Sequence, residues 1–257
     1  MKGTALRGLK RIKKIDMEKF TVEFAGIRIG ITAKYETMKG ISRAYLVDSE
    51  YSDFELVVSD DEIEFETAGI KPGELEALAI YRKIAEKLYE YDAMLMHGVA
   101  LDVKGEGIIF TARSGTGKST HAVLWKKLFK DDCICVNGDK PIIRFIDGVP
   151  CAYGTPYAGK EGWQTNTHTP VKNLAFINRS ETNHVEKAEK SKLLQRLIPS
   201  CHIPAEPLAR LRTFELLGKF IDSVNFWDIF CNMDSDAAVV ASSVIMNDDN
   251  GINTLNP

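Results

Sequence analysis

The feature that most constrains this chain is the stretch Thr111-Ala112-Arg113-Ser114-Gly115-Thr116-Gly117-Lys118-Ser119-Thr120. The apolar run Ile108-Ile109-Phe110 precedes it, and an amphipathic stretch from Lys118 to about Phe129 follows. The sequence therefore predicts a strand, a glycine-rich loop and a helix in succession, the setting a phosphate loop requires. Small residues let backbone N–H groups converge on phosphate oxygens without side chains in the way. The unpaired amides and positive dipole end of the new helix face the same point. Lys118 adds a point charge for the β- and γ-phosphates, and the Ser119 hydroxyl can ligate Mg²⁺. The alternative is an ordinary glycine-rich turn between a strand and a helix, and the flanks favour phosphate. The expected ligand is ATP with Mg²⁺, held by Ser114, Gly115, Thr116, Gly117, Lys118, Ser119 and Thr120. The first glycine of the usual Gly-x-x-x-x-Gly-Lys-Ser/Thr pattern is Ala112, tolerable if its φ stays negative.

A metal-bound nucleotide usually needs a carboxylate at the end of a neighbouring strand. Cys133-Ile134-Cys135-Val136-Asn137-Gly138-Asp139-Lys140 supplies Asp139 after an apolar strand. Asp139 and Ser119 are the expected metal ligands; the other reading makes Asp139 a turn residue. His97, in Leu95-Met96-His97-Gly98-Val99-Ala100, taken alone reads as a core histidine in an apolar strand.

Further elements frame this centre. Thr21–Phe24 and Ile27–Thr32 are predicted strands joined by Ala25-Gly26, with another at Phe54–Val58 and an alternating stretch at Ile63–Glu66. A helix is predicted over Glu74–Tyr91 from the apolar stripe Ala77, Ile80, Tyr81, Ile84, Leu88 and Tyr91. Met94–Val103 and Gly107–Thr111 read as strands joined by a turn at Lys104-Gly105-Glu106. Further strands are predicted at Cys133–Val136, Pro141–Ile146, Val149–Tyr153, Leu174–Ile177 and Val224–Phe230. Helices are predicted at Leu193–Leu197, Leu208–Phe220 and Asp234–Met246, before a polar tail, Asn247–Pro257. The fold class is α/β: a mixed sheet containing the phosphate loop, with flanking helices and a β-rich N-terminal part. Residues 1–92 are expected to form a β-rich N-terminal subdomain ending in a helix, and 93–257 a domain built around the phosphate loop.

Composition narrows the function classes. Of 257 residues, 44% are hydrophobic and 27% charged, which excludes disorder as the main state. Lys plus Arg is 33 and Asp plus Glu 36, a net charge of −3, which argues against a general nucleic-acid binder. No apolar run reaches the roughly 18 residues a membrane span needs, and the basic N-terminus lacks the apolar centre of a secretory signal. Five cysteines at irregular spacing suggest reduced core thiols in a cytoplasmic protein.

The stretch Tyr153-Gly154-Thr155-Pro156-Tyr157-Ala158-Gly159-Lys160-Glu161-Gly162-Trp163-Gln164-Thr165-Asn166 combines glycine, charge and aromatics. It reads either as a substrate loop, with Lys160 on an anion and Glu161 as base or metal partner, or as a surface turn with Trp163 and Tyr157 packed beneath the sheet. Arg179, after the strand Leu174–Ile177, reads as a solvated strand-end arginine or, with less support, as a charge-stabilising one.

The run His97-Gly98-Val99-Ala100-Leu101-Asp102-Val103, Gly105, Gly107-Ile108-Ile109-Phe110-Thr111 and Ser114-Gly115-Thr116-Gly117-Lys118-Ser119 resembles the catalytic domain of bacterial HPr kinase/phosphorylase, which is related in fold to phosphoenolpyruvate carboxykinase. The resemblance spans roughly residues 93–150. It implies a nucleotide-dependent kinase acting on a hydroxyl, of a protein serine or a small molecule, and gives His97 a catalytic role beside Lys118 and Asp139. It also implies a tendency to homo-oligomers. Three positions depart from the family pattern: Ala112, Thr120 in place of a glutamate, and Gly138 where the family carries the first of two aspartates. That first aspartate, with the histidine, handles the proton of the attacking hydroxyl in the family. Here the base falls to His97 alone or to a carboxylate from elsewhere, with Glu161 the candidate. A nucleotide-binding regulatory module without turnover and a phosphoenolpyruvate carboxykinase-like enzyme are the other readings.

Overall fold

The computed structural model describes residues 17–64, 70–113 and 115–247. The chain begins with β1 (Glu18–Phe24), β2 (Ile27–Ala33), α1 (Glu36–Ile41), β3 (Leu46–Val47), β4 (Phe54–Val57), α2 (Asp60–Glu64) and α3 (Pro72–Lys87). Next come β5 (Ala93–Leu95), β6 (Val99–Val103), β7 (Glu106–Thr111), α4 (Lys118–Phe129), β8 (Cys133–Asn137), β9 (Ile142–Ile146) and β10 (Val149–Tyr153). The last third holds β11 (His168–Arg179), β12 (His184–Lys187), α5 (Leu193–Leu197), α6 (Pro207–Ser223), β13 (Asn225–Cys231) and α7 (Asp236–Ile245).

The first four strands form a sheet in the order β3-β1-β2-β4. Alternation along β2 turns Ile27, Ile29, Ile31 and Ala33 inward against Ile80 and Ile84 of α3, in a core that also takes in Leu95 and Ile142. A second, mixed sheet has nine strands, β5-β9-β10-β11-β7-β6-β8, with β13 added beside β11 and β12 beside β13. Helices cover both of its faces. Along β7, Ile108 and Phe110 face α4 and α7, packing with Ala122, Trp125 and Ala241. Ile109 faces the other way, toward Leu197 of α5 and Leu217 and Phe220 of α6. This period of two on a strand buried from both sides explains its unbroken apolar run.

The topology gathers chemistry at one edge. β11 is parallel to β7 and to β13, and β6 is antiparallel to both β7 and β8. Strands β7, β8, β11 and β13 therefore all end where β6 begins.

Three expectations need correction. Met94–Val103 is not one strand: Met96-His97-Gly98 interrupt it, because β5 pairs with β9 whereas β6 pairs with β7 and β8. The alternation at Ile63-Glu64 belongs to the short helix α2, whose Ile63 is buried; Phe65 and Glu66 lie outside the described residues. β11 is much longer than Leu174–Ile177, because its first residues pair with β10 before the strand reaches β7 and β13. The polar tail beyond Asn247 also lies outside the described residues. No described helix is long and apolar enough to cross a membrane. All five cysteines are free; burial pushes Cys133 and Cys135 up to about 11, which keeps them as thiols.

Candidate active site

The loop after β7 is shaped by its glycines. Gly115 has φ +76° and Gly117 φ +126°, conformations that side chains resist. Ala112 is not among the residues with positive φ, so its methyl group is accommodated where the usual pattern has glycine. The Thr116 amide closes a turn on the Arg113 carbonyl at 3.2 Å, and α4 opens at Lys118. Ser114 lies outside the described residues. The Lys118 ammonium donates to the Ala112 carbonyl at 3.1 Å. Burial lowers its pKa, and the nearby Asp139 carboxylate offsets part of that.

Asp139 follows β8 in a turn built by Asn137. The fully buried Asn137 side chain accepts from the Asp139 and Lys140 amides at 2.9 and 2.7 Å. Its own amide donates to the Thr155 carbonyl and hydroxyl at 3.0 and 3.1 Å. The Asp139 carboxylate lies 3.1 Å from His97 Nε2 and 2.6 Å from Lys140 Nζ. Burial acts to raise its pKa, but the hydrogen bonds from His97 and Lys140 outweigh it and hold the carboxyl at about 2. His97 is fixed through its backbone: its amide donates to the Ser200 carbonyl at 2.6 Å, and its carbonyl accepts from the Thr111 hydroxyl at 3.1 Å.

The Gly138 amide donates to the Trp163 carbonyl at 2.7 Å. A Cβ at Gly138 would come within 3.1 Å of the carbonyl oxygens of Ala158 and Trp163. Main chain from the downstream loop thus crowds the position a first aspartate's Cβ would take.

That loop divides its residues between the two readings given to it. Tyr157 stacks on Tyr81 of α3 with ring centroids 3.5 Å apart, and its hydroxyl donates to the Ala77 carbonyl at 2.9 Å. The Tyr81 hydroxyl donates to the Lys140 carbonyl at 3.0 Å. Trp163 packs beside the α4 core under Lys126, and Gln164 accepts from the Tyr45 hydroxyl at 2.5 Å. Those residues pack. Between them Lys160 and Glu161 are exposed, with no hydrogen bond or ion pair to other described residues.

A cleft of about 500 Å³ opens at this edge. His97, Gly115, Gly117, Lys118, Ser119, Thr120, Asp139, Lys160 and Glu161 all border it, as does Gly138. Thr116 instead borders a second cavity, of about 450 Å³, which shares Gly115, Gly117 and Thr120 with the cleft and is also lined by Ile177, Arg179 and Met233. Arg179 is exposed at its strand end, as expected, and its guanidinium donates to the Gly115 and Thr116 carbonyls.

Two buried residues near the site stand outside every motif, and one of them, Asn137, positions Asp139. Asn137 was passed over as part of a turn, although an Asn two residues before an acid has a side chain able to bond that acid's amide. His121 gave no signal beyond its place in α4. It is buried beneath the loop, accepts from the Trp125 indole N–H at 3.0 Å, and is pushed down to about 4 by burial.

No family model and no curated protein sequence matches this chain. Among solved structures, the Hpr(Ser) kinase/phosphatase from Coxiella burnetii is similar to it with a TM-score of 0.34 and 12% identity, over 60% of this chain and 94% of that one. The likeness is distant.

Proposed function

We propose that this protein is an ATP-dependent phosphotransferase that uses Mg²⁺ and passes the γ-phosphoryl group to a hydroxyl, of a protein serine or of a small molecule. The observation that carries this reading is one cleft bordered by the loop glycines, Lys118, Ser119, Asp139 and Glu161. Loop amides and Lys118 would hold the triphosphate. Ser119 and Asp139 are an oxygen pair suited to Mg²⁺, which takes one or two protein ligands alongside phosphates and water. When bound, the ion neutralises charge on the transferring group.

The acceptor oxygen forms a bond to the γ-phosphorus as the bond to the β–γ bridging oxygen breaks, and the hydroxyl proton passes to a base. Glu161 is favoured over His97 for that role. Its carboxylate is unpaired and borders the cleft, whereas His97 Nε2 is engaged with Asp139. Lys160 lies beside it to meet negative charge on donor or acceptor. Catalysis of this kind works by positioning and electrostatic stabilisation.

One observation favours a second reading, a nucleotide-binding module without turnover: the first acid of the family's pair is absent at Gly138, and the position of its Cβ is crowded. A screen with γ-labelled ATP and Mg²⁺ against protein and small-alcohol acceptors separates the two. The enzyme reading expects labelled product that Lys118→Ala fails to form. Nucleotide binding with neither product nor ADP release would favour the module.

A further inference from the structure

Arg179 occupies a place that the proposed chemistry does not use. β11 runs parallel to β7 with Phe176 beside Thr111, so the residues after Phe176 come level with the loop after Thr111. From there the Arg179 guanidinium donates Nε–H to the Thr116 carbonyl at 3.3 Å and an Nη2 proton to the Gly115 carbonyl. It pairs with no carboxylate among the described residues and borders the second cavity rather than the cleft. Lys118 takes the Ala112 carbonyl from the cleft side. Two cations thus hold the carbonyls of Ala112, Gly115 and Thr116 between them.

We propose that Arg179 is a positioning residue that presets the phosphate loop by holding its outward carbonyls. The inference rests on reading that loop as the phosphate site. A loop whose amides turn toward an anion turns its carbonyls away from it. Gly115 and Gly117 provide no side-chain restraint, so without an outside partner the loop would have to be ordered when ligand binds, which weakens affinity. A guanidinium suits the task because its planar fork places two donors at fixed spacing, and charge-assisted bonds are the stronger kind. The Thr116 carbonyl shares a peptide group with the Gly117 amide. Polarising the carbonyl makes that amide a better donor. A lysine would supply the charge without the fork.

The test compares the full chain with Arg179→Ala and Arg179→Lys by amide hydrogen exchange without nucleotide, then by calorimetric titration with MgATP. The expected result is exchange at least tenfold faster over residues 115–119 in Arg179→Ala, with β7 unchanged, and at least tenfold weaker MgATP binding. Arg179→Lys should fall between. Unchanged exchange in Arg179→Ala would overturn the proposal, even if MgATP binding weakened, because the arginine would then act on the phosphates themselves. Faster exchange with unaltered binding would overturn it as well. The exchange measurement needs no nucleotide, so a wild-type chain that fails to bind MgATP counts against the proposed function while the loop's dependence on Arg179 is still decided.

Discussion

His97 Nε2 and Asp139 Oδ1 lie 3.1 Å apart because β6 begins at the sheet edge where β8 ends. With Lys140 on the other oxygen, this holds the Asp139 carboxyl at about 2 against an ordinary value of 3.8, in spite of its burial. A carboxyl whose folded pKa is depressed contributes stability that is present above about pH 4 and lost as pH falls toward 2. Asp139→Asn should therefore flatten the acid limb of the stability curve over that window, read by denaturant unfolding. Superimposable acid limbs would contradict the pairing.

His121 titrates in a different window. Burial lowers it from 6.5 to about 4, so the unfolded chain binds a proton that the folded chain excludes between those values. Its contribution is full above pH 6.5 and falls as pH drops toward 4, by about 3 kcal/mol. His121→Gln keeps an acceptor for the Trp125 N–H and removes the titration. Urea unfolding at pH 7 and pH 4.5 should show a smaller loss for the variant than for wild type. Equal losses would refute the assignment.

Gly138 sits in a tight place. A Cβ there meets two main-chain carbonyl oxygens at 3.1 Å, and neither belongs to a flexible side chain. Gly138→Ala should cost about 1–3 kcal/mol in unfolding free energy. Gly138→Asp, which introduces the first aspartate of the HPr kinase/phosphorylase pattern, should lower any phosphotransferase activity rather than raise it. A Gly138→Asp variant more active than wild type would mean that the downstream loop yields readily.

Much of this was legible beforehand, for a physical reason. α4 was expected at Lys118–Phe129 and lies there, and the expected Ala25-Gly26 connection between β1 and β2 turns through φ +53° and +70°. Such elements are written by local signals: periodicity, turn residues and a helix start. What stayed hidden depended on pairing between distant segments. The break at Met96–Gly98 follows from β5 and β6 choosing different partners, which no local pattern encodes. Arg179 is exposed at its strand end, as expected, but its bonds to the loop carbonyls were not legible because only the register of β11 on β7 brings it there. The downstream loop stayed ambiguous because it does two jobs: Tyr157 and Trp163 pack, and Lys160 and Glu161 face the cleft.

Glu161→Gln separates binding from chemistry. The substitution keeps the shape and removes the basic oxygen. Turnover should fall by about 10²–10⁴-fold with MgATP affinity unchanged. His97→Asn removes the rival base and serves as the comparison. Undiminished turnover in Glu161→Gln would shift the base to His97.

The central claim is that the loop from Ala112 to Thr120 holds a triphosphate against Lys118. Calorimetric titration of the full chain with MgATP tests it most directly, wild type beside Lys118→Ala. The account predicts stoichiometric binding by the wild type and a loss of about a hundredfold or more in the variant. Equal affinity in the two proteins, or no binding by the wild type, would contradict it.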